Sequence, residues 1–209
     1  MTVMQIVQQL FNSMGITMEI FFVTLVTSLI LGLGLALVRM SKSRVLSLIA
    51  KFYISVMRGT PLMLQLLVVY FGPFFIFGMQ ITPSYRLKAV LIGFALNYAA
   101  YFAEIYRSGI AAIPVGQYEA ARLLGYSKTQ TFVHIVMPQV IKRIIPPVAN
   151  ETITLVKDTS LAFTLAVAEG FSVTKKLGAS QSSVGPFILA GGFFFFFYFG
   201  FVGFFLFFL

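Results

Sequence analysis

Residues 17–38 read TMEIFFVTLVTSLILGLGLALV, 22 residues with one charge, Glu19, near the start. A helix needs roughly 20 apolar residues to cross the hydrocarbon of a bilayer, so this stretch is long enough to span it. The rest of the chain agrees. Its 209 residues are 59% hydrophobic and 10% charged, with a mean hydropathy of +0.94. Soluble domains average about 45–50% apolar and about 25% charged. A chain of this composition cannot hide its apolar residues in a core surrounded by water. It is read as an all-α membrane protein in which about four to six spans with short connections use up the length.

Outward from residues 17–38, five spans are predicted, at about residues 17–38, 61–77, 87–105, 140–155 and 186–209, in one transmembrane domain over residues 1–209. Gly32, Gly34 and Ala36 in the first span allow close helix packing. The second opens with Thr60 as N-cap and Pro61 at the first helical position, where a missing N–H costs nothing. The fourth is weakly hydrophobic and carries Pro146 and Pro147. Residues 1–15 lack the basic n-region and cleavage site of a secretory signal. They form either a short interfacial helix, with Met4, Val7, Phe11 and Met14 on one side, or a plain tail. Residues 161–167 are apolar but too short to span, and read as a re-entrant segment. The last 17 residues contain 11 phenylalanines and no charge.

Basic residues set the orientation, because cytoplasmic loops collect them. The loop from Arg39 to Arg58 carries Arg39, Lys42, Arg44, Lys51 and Arg58 and no acid. The loop from Arg107 to Arg143 carries five basic residues against one acid, Glu119. The connection between the second and third spans has only Arg86 and Lys88. Both strongly basic loops are therefore expected in the cytoplasm, which puts the N-terminus outside and the C-terminus inside. The net charge of +9 is accounted for by anionic lipid facing these loops, with no call for nucleic acid. With no cysteine and a single histidine, His134, disulfides, thiolate sites and multi-histidine metal sites are excluded.

The second basic loop has an internal order. Pro114 precedes a helix candidate at residues 117–124, and Gly125 stands where a C′ glycine would stop it. Ser127 then opens a second short helix with Gln130 at capping-box spacing, and Pro138 is expected to halt it. Two short helices in a tight turn, at about residues 114–137, make a knob that either docks into a groove on a partner or merely connects two spans.

The residues of this knob resemble a known family. Glu119-Ala120-Ala121, then Gly125, then Ile135-Val136-Met137-Pro138 resembles the EAA motif of bacterial ABC importer permeases. Arg58-Gly59-Thr60-Pro61-Leu62 with Gln65, Asn97-Tyr98-Ala99-Ala100-Tyr101 with Glu104 and Arg107, and Lys157-Asp158-Thr159-Ser160-Leu161 resemble words of the polar amino acid permeases. The resemblance covers roughly residues 17–170 and fades after Ala168.

It implies a type I importer permease fold and a multi-pass subunit of the bacterial cytoplasmic membrane. A second permease copy, identical or related, two cytoplasmic ATPase subunits and an extracytoplasmic amino acid-binding protein would complete the transporter. Within the knob, Gly116, Gln117, Glu119, Ala120, Ala121, Arg122 and Gly125 would couple the chain to the ATPase. No Gly-x-x-x-x-Gly-Lys-Ser/Thr occurs, so ATP and its magnesium belong to that partner. The chain itself is expected to hold no cofactor and to be no enzyme.

Ionisable groups inside spans are costly and mark candidate sites. Asn97, Tyr101, Glu104 and Ser108 share one face of the third span. In the fourth, Asn150, Thr154 and Lys157 share a face, and Glu151 and Asp158 an adjacent one. Pro146 and Pro147 leave carbonyls free, which suits a helix lining a water-filled cavity. The polar stripes read either as a translocation path or as hydrogen bonds between helices. Lys157 and Asp158 are placed at the outer gate or turn. No arginine is expected at comparable depth, and the two acids Glu104 and Glu151 point to a basic amino acid as substrate. A proton-coupled secondary carrier using Glu104 or Glu151 is the alternative, though such carriers usually show paired halves. A non-transporting scaffold would leave the buried acids and the knob without a role.

Overall fold

The computed structural model describes residues 3–208, and all its regular elements are helical. In chain order these are α1 (Val3–Arg39), α2 (Arg44–Gly59), α3 (Leu62–Phe77), α4 (Tyr85–Ala111), α5 (Val115–Leu123), α6 (Lys128–Gln130), α7 (Met137–Asp158), α8 (Gly170–Gln181) and α9 (Gly185–Phe208). A π-helical stretch, Thr131–Val136, joins α6 to α7, and a 3-10 helix, Thr159–Leu165, follows α7. Helices lie over the five stretches expected as spans, residue 209 falling outside the described residues, but among the described residues only α1 and α4 are long and apolar enough to cross a membrane by themselves, with the bent pair α2–α3 as a third candidate.

α4 is the hub, because its small residues let neighbours approach on several sides. Ala89, Gly93, Ala99, Ala100 and Ala103 are buried along it, with Phe94, Tyr98 and Phe102 between them. Ile20 and Phe21 of α1, Leu66 of α3, Leu155 of α7 and Leu165 of the 3-10 helix close the same core. Gly32 of α1 lies so close to α4 that a Cβ there would stand 2.8 Å from the Phe102 Cβ. Ala36 is buried beside it, whereas Gly34 faces open space. The hydroxyls of Thr27 and Ser28 donate back to the carbonyls of Val23 and Leu25, so these polar groups sit in an apolar helix without going unpaired.

Several sequence expectations change here. Residues 3–15 are neither a tail nor a short interfacial helix, but the first turns of α1, which runs unbroken for 37 residues. Ile6 and Leu10 on their buried face pack towards Leu177 of α8 and Ala190 of α9, and buried Met14 lies against Gly170, while Met4 and Phe11 point outward. The basic loop after Arg39 is mostly helix. Ser43 caps α2, and Ile54 packs against Ala100 and Ala103 of α4, with Ala50 also buried. Thr60 does not cap α3: its hydroxyl donates to the Val56 carbonyl of α2 at 2.8 Å. α2 and α3 meet there at 111°.

Pro138 does not halt the second knob helix. Proline lacks an N–H and crowds the carbonyl four residues back, and the chain absorbs both by widening to π-helical bonding, with the Met137 N–H reaching the Phe132 carbonyl. The apolar residues 161–167 form no separate re-entrant loop. They are the 3-10 helix and its exit, with Ala162, Leu165 and Val167 buried in the main core. Glu169, fully buried, then caps α8 by accepting the N–H groups of Phe171 and Ser172 at 2.6 and 2.7 Å. The Gly170 N–H donates to the Thr17 hydroxyl at 3.0 Å and pins this start to α1. Burial pushes the Glu169 carboxyl up to about 7, against the pull of the two N–H groups.

Candidate functional site

Asn97 and Tyr101 sit near the middle of α4, at its 13th and 17th of 27 residues. Asn97 is buried, and its amide donates to the Met57 carbonyl at 3.0 Å and to Gln65 Oε1 at 2.9 Å. It therefore faces the corner between α2 and α3. One turn on, Tyr101 lies under the Arg58 guanidinium, whose carbon is 5.2 Å from the ring centre, within cation–π range. An arginine thus reaches the depth at which none was expected. The words Arg58-Gly59-Thr60-Pro61 signal a helix break, but only the fold turns that break against the centre of α4.

The acids divide into engaged and open ones. Glu104 is ion-paired with Arg107 on its own helix, three residues on. Asp158 accepts the Tyr98 hydroxyl at 2.7 Å, a bond between residues 60 apart that spacing along one helix could not foretell. It reaches back to α4 and takes no part in the turn after α7. That turn is closed by the Thr159 and Ser160 hydroxyls on the Val156 and Lys157 carbonyls. Glu151 is half-buried, makes no hydrogen bond among the described residues, and lies within electrostatic range of Arg58 and Asp158. Asn150 and Lys157 are exposed. Thr154 donates to the Asn150 carbonyl at 3.1 Å. The structure therefore gathers Arg58, Tyr98, Tyr101, Glu151 and Asp158, with Glu104 in electrostatic range of Arg58 and Asn97 on the Met57 carbonyl beside it, while Asn150 stays exposed.

The knob is built by local chemistry. α5 begins at Val115 and ends at Leu123, and Gly125 takes the left-handed conformation at φ +78. Both bonds of the Ser127–Gln130 capping box form. Tyr118 packs inward on Ile113, Val136 and Val140, Ala121 is buried, and Gln139 donates to Gln117 at 3.1 Å. Gly116, Glu119, Ala120 and Arg122 face outward, and His134 is exposed as well. So are Leu123 and Leu124, at 89% and 75%, and these the sequence did not single out. A cavity of about 240 Å³ opens between Tyr118, Arg122, Tyr126, Lys128, Thr131 and Phe132.

An all-helical membrane subunit with a polar cluster beside its central helix and an outward knob has the architecture of a type I importer permease. The chain belongs to the family of binding-protein-dependent transport system inner membrane components, which it matches over residues 28–209. That match takes in the phenylalanine-rich tail, beyond the point where the sequence words fade. Two relatives come from Bacillus subtilis (strain 168). The "Probable amino-acid ABC transporter permease protein YckA" is 42% identical, over 81% of this chain and 74% of that one. The arginine transport system permease protein ArtQ is 39% identical, over 86% and 81%. Among solved structures, an amino acid ABC transporter crystallised with histidines superposes with a TM-score of 0.88 at 31% identity, over 100% of this chain and 98% of that one. The MetNI methionine ABC transporter shares the fold alone, at a TM-score of 0.64 and 17% identity. The protein is a membrane-embedded permease subunit of an amino acid ABC importer, a transport component rather than an enzyme.

Proposed function

We propose that this subunit passes a basic L-amino acid across a bacterial cytoplasmic membrane, through the cluster of Arg58, Tyr101, Glu151 and Asp158. The carrying observation is a cation and an uncommitted acid, Arg58 and Glu151, on two helices beside the centre of α4. An amino acid in a membrane needs donors for its carboxylate and an anion for its ammonium, and leaving either unpaired is expensive. Arg58 serves the carboxylate. Glu151, with Asp158 near it, serves the ammonium and a cationic side chain. The relatives' names include arginine, cystine, glutamine, nopaline and octopine, so kinship does not choose the substrate, and the reading of a basic one is supported by the acids. Asn97, Glu104, Asn150 and Thr154 border this path.

The chain works as one domain with five spans, its N-terminus outside and its C-terminus inside, with a second permease copy, two ATPase subunits and an extracytoplasmic binding protein. It holds no cofactor; ATP and magnesium bind the ATPase. α5 is the coupling element, offering Glu119, Ala120, Arg122 and the exposed Leu123 and Leu124 to that partner. The self-contained proton-coupled carrier is not favoured, since the family depends on a binding protein.

The test is uptake into proteoliposomes holding the matched ATPase and binding protein. Arg58→Ala weakens arginine and glutamine uptake alike, roughly tenfold or more, because both carry the carboxylate. Glu151→Gln weakens arginine uptake more than glutamine uptake. Equal losses in Glu151→Gln would make that acid a structural group, and glutamate carried best would refute the choice of a basic substrate.

A further inference from the structure

A helix leaves its last carbonyls without partners in the helix, and α2 ends beside Pro61, which supplies no N–H. Near the centre of a membrane protein such orphans are costly, yet here side chains take them up. Thr60 Oγ1 donates to the Val56 carbonyl at 2.8 Å. The Met57 carbonyl accepts twice, from Gln65 Nε2 at 2.9 Å and from Asn97 Nδ2 at 3.0 Å. Gln65 Nε2 also lies 3.1 Å from the Thr60 carbonyl and 2.8 Å from its hydroxyl. Asn97 gives its second hydrogen to Gln65 Oε1 at 2.9 Å. Two amides from two helices thus clasp the peptide that leads directly into Arg58.

We propose that Asn97 and Gln65 are positioning residues for substrate binding that act through Arg58. α4 holds Arg58 at two points one turn apart: its incoming peptide through Asn97, and its guanidinium on the Tyr101 ring. Released from the amides, the Met57 carbonyl loses its anchors on α3 and α4, and the last turn of α2 with its guanidinium loses its fixed direction without losing its charge. This inference rests on the reading of Arg58 as the carboxylate's partner.

The experiment is a double-mutant cycle on the KM for arginine, in proteoliposomes with the matched ATPase and binding protein. Asn97→Ala raises KM about tenfold, the effect of losing ordinary hydrogen bonds that orient a charge. In an Arg58→Ala background the same change leaves KM where Arg58→Ala alone put it. A residue that only holds the fold would add its loss in both backgrounds, and that additivity overturns the proposal. An unchanged KM in Asn97→Ala overturns it as well. If Arg58→Ala alone leaves KM unchanged, the substrate-site reading fails, and the positioning role with it. Should Asn97→Ala not insert, Gln65→Met carries the same cycle, since it removes the Gln65 donors and leaves the Asn97 bond to Met57 in place.

Discussion

Gly125 offers a perturbation in which backbone conformation is separable from bulk. A Cβ at this position meets nothing within 4 Å, yet φ is +78. A side chain there clashes with no neighbour and still strains the chain. The left-handed conformation costs an ordinary L-residue about 1–2 kcal/mol, and asparagine visits it more readily than others. The turn it closes is held by few contacts: the Gly125 N–H on the Arg122 carbonyl at 3.0 Å, the Tyr126 N–H on the Ala121 carbonyl at 3.0 Å, and the Gln117–Gln139 bond. A strain of that size shifts a local equilibrium by roughly 5–30-fold. Gly125→Val therefore reduces coupled uptake by about that factor while the protein still inserts, and Gly125→Asn stays within about twofold of wild type. The assay is substrate-stimulated ATP hydrolysis against uptake in the reconstituted complex. If valine and asparagine do equal damage, bulk at a docking surface is responsible and the conformational argument is wrong. If valine is harmless, the knob does not couple.

Gly32→Ala places a Cβ 2.8 Å from the Phe102 Cβ, where ordinary contact begins at 3.4 Å. It destabilises by about 1–3 kcal/mol, seen as a lower melting temperature in detergent, while Gly34→Ala, free of contacts inside a helix, keeps or raises the melting temperature; an equal fall in both would contradict the α1–α4 approach. The Glu169 carboxyl is held at about 7 in the fold against an ordinary 4.5. The folded state therefore binds the proton more tightly, and stability falls as pH rises from about 4.5 to about 7. Thermal melts across that window should show the fall in wild type and not in Glu169→Gln, and a flat wild-type profile would count against a raised Glu169. Cysteines replacing Lys42 and Lys128 should resist an impermeant thiol reagent added outside sealed cells, and one replacing Thr82 should react; external labelling at Lys128 would reverse the orientation.

What was legible in the sequence was local or periodic. The Ser127–Gln130 box and the Gly125 stop follow from a few adjacent residues, and both form. α2 was hidden because its basic residues were counted as loop charge. Their heptad spacing, Arg44, Lys51 and Arg58, with Val45, Ile49, Phe52 and Val56 on another face, is a helical period that the charge count passed over. The site was harder to read. Glu104 with Arg107 is visible as a pair three apart, but Tyr98 with Asp158 and Arg58 with Tyr101 exist only once α2, α4 and α7 pack. Asn97 looked like part of a polar stripe because a stripe shows which residues share a face, not which carbonyl a bent neighbour will bring to it.

The π-helical passage through Pro138 has a mechanical consequence. Because the chain never leaves helical geometry between Lys128 and Asp158, no slack loop separates the second short helix of the knob from the polar cluster. From Met137 to Glu151 the helix is about 21 Å long at 1.5 Å per residue, a stiff connection from the end of the π-helical stretch to the acids. Pro146 and Pro147 lie inside it, one turn before Glu151, and they remove two of the bonds that stiffen a helix. Compliance is thereby concentrated at one joint just before the acids, so that any bend of α7 there would tilt Glu151 and Asp158 together.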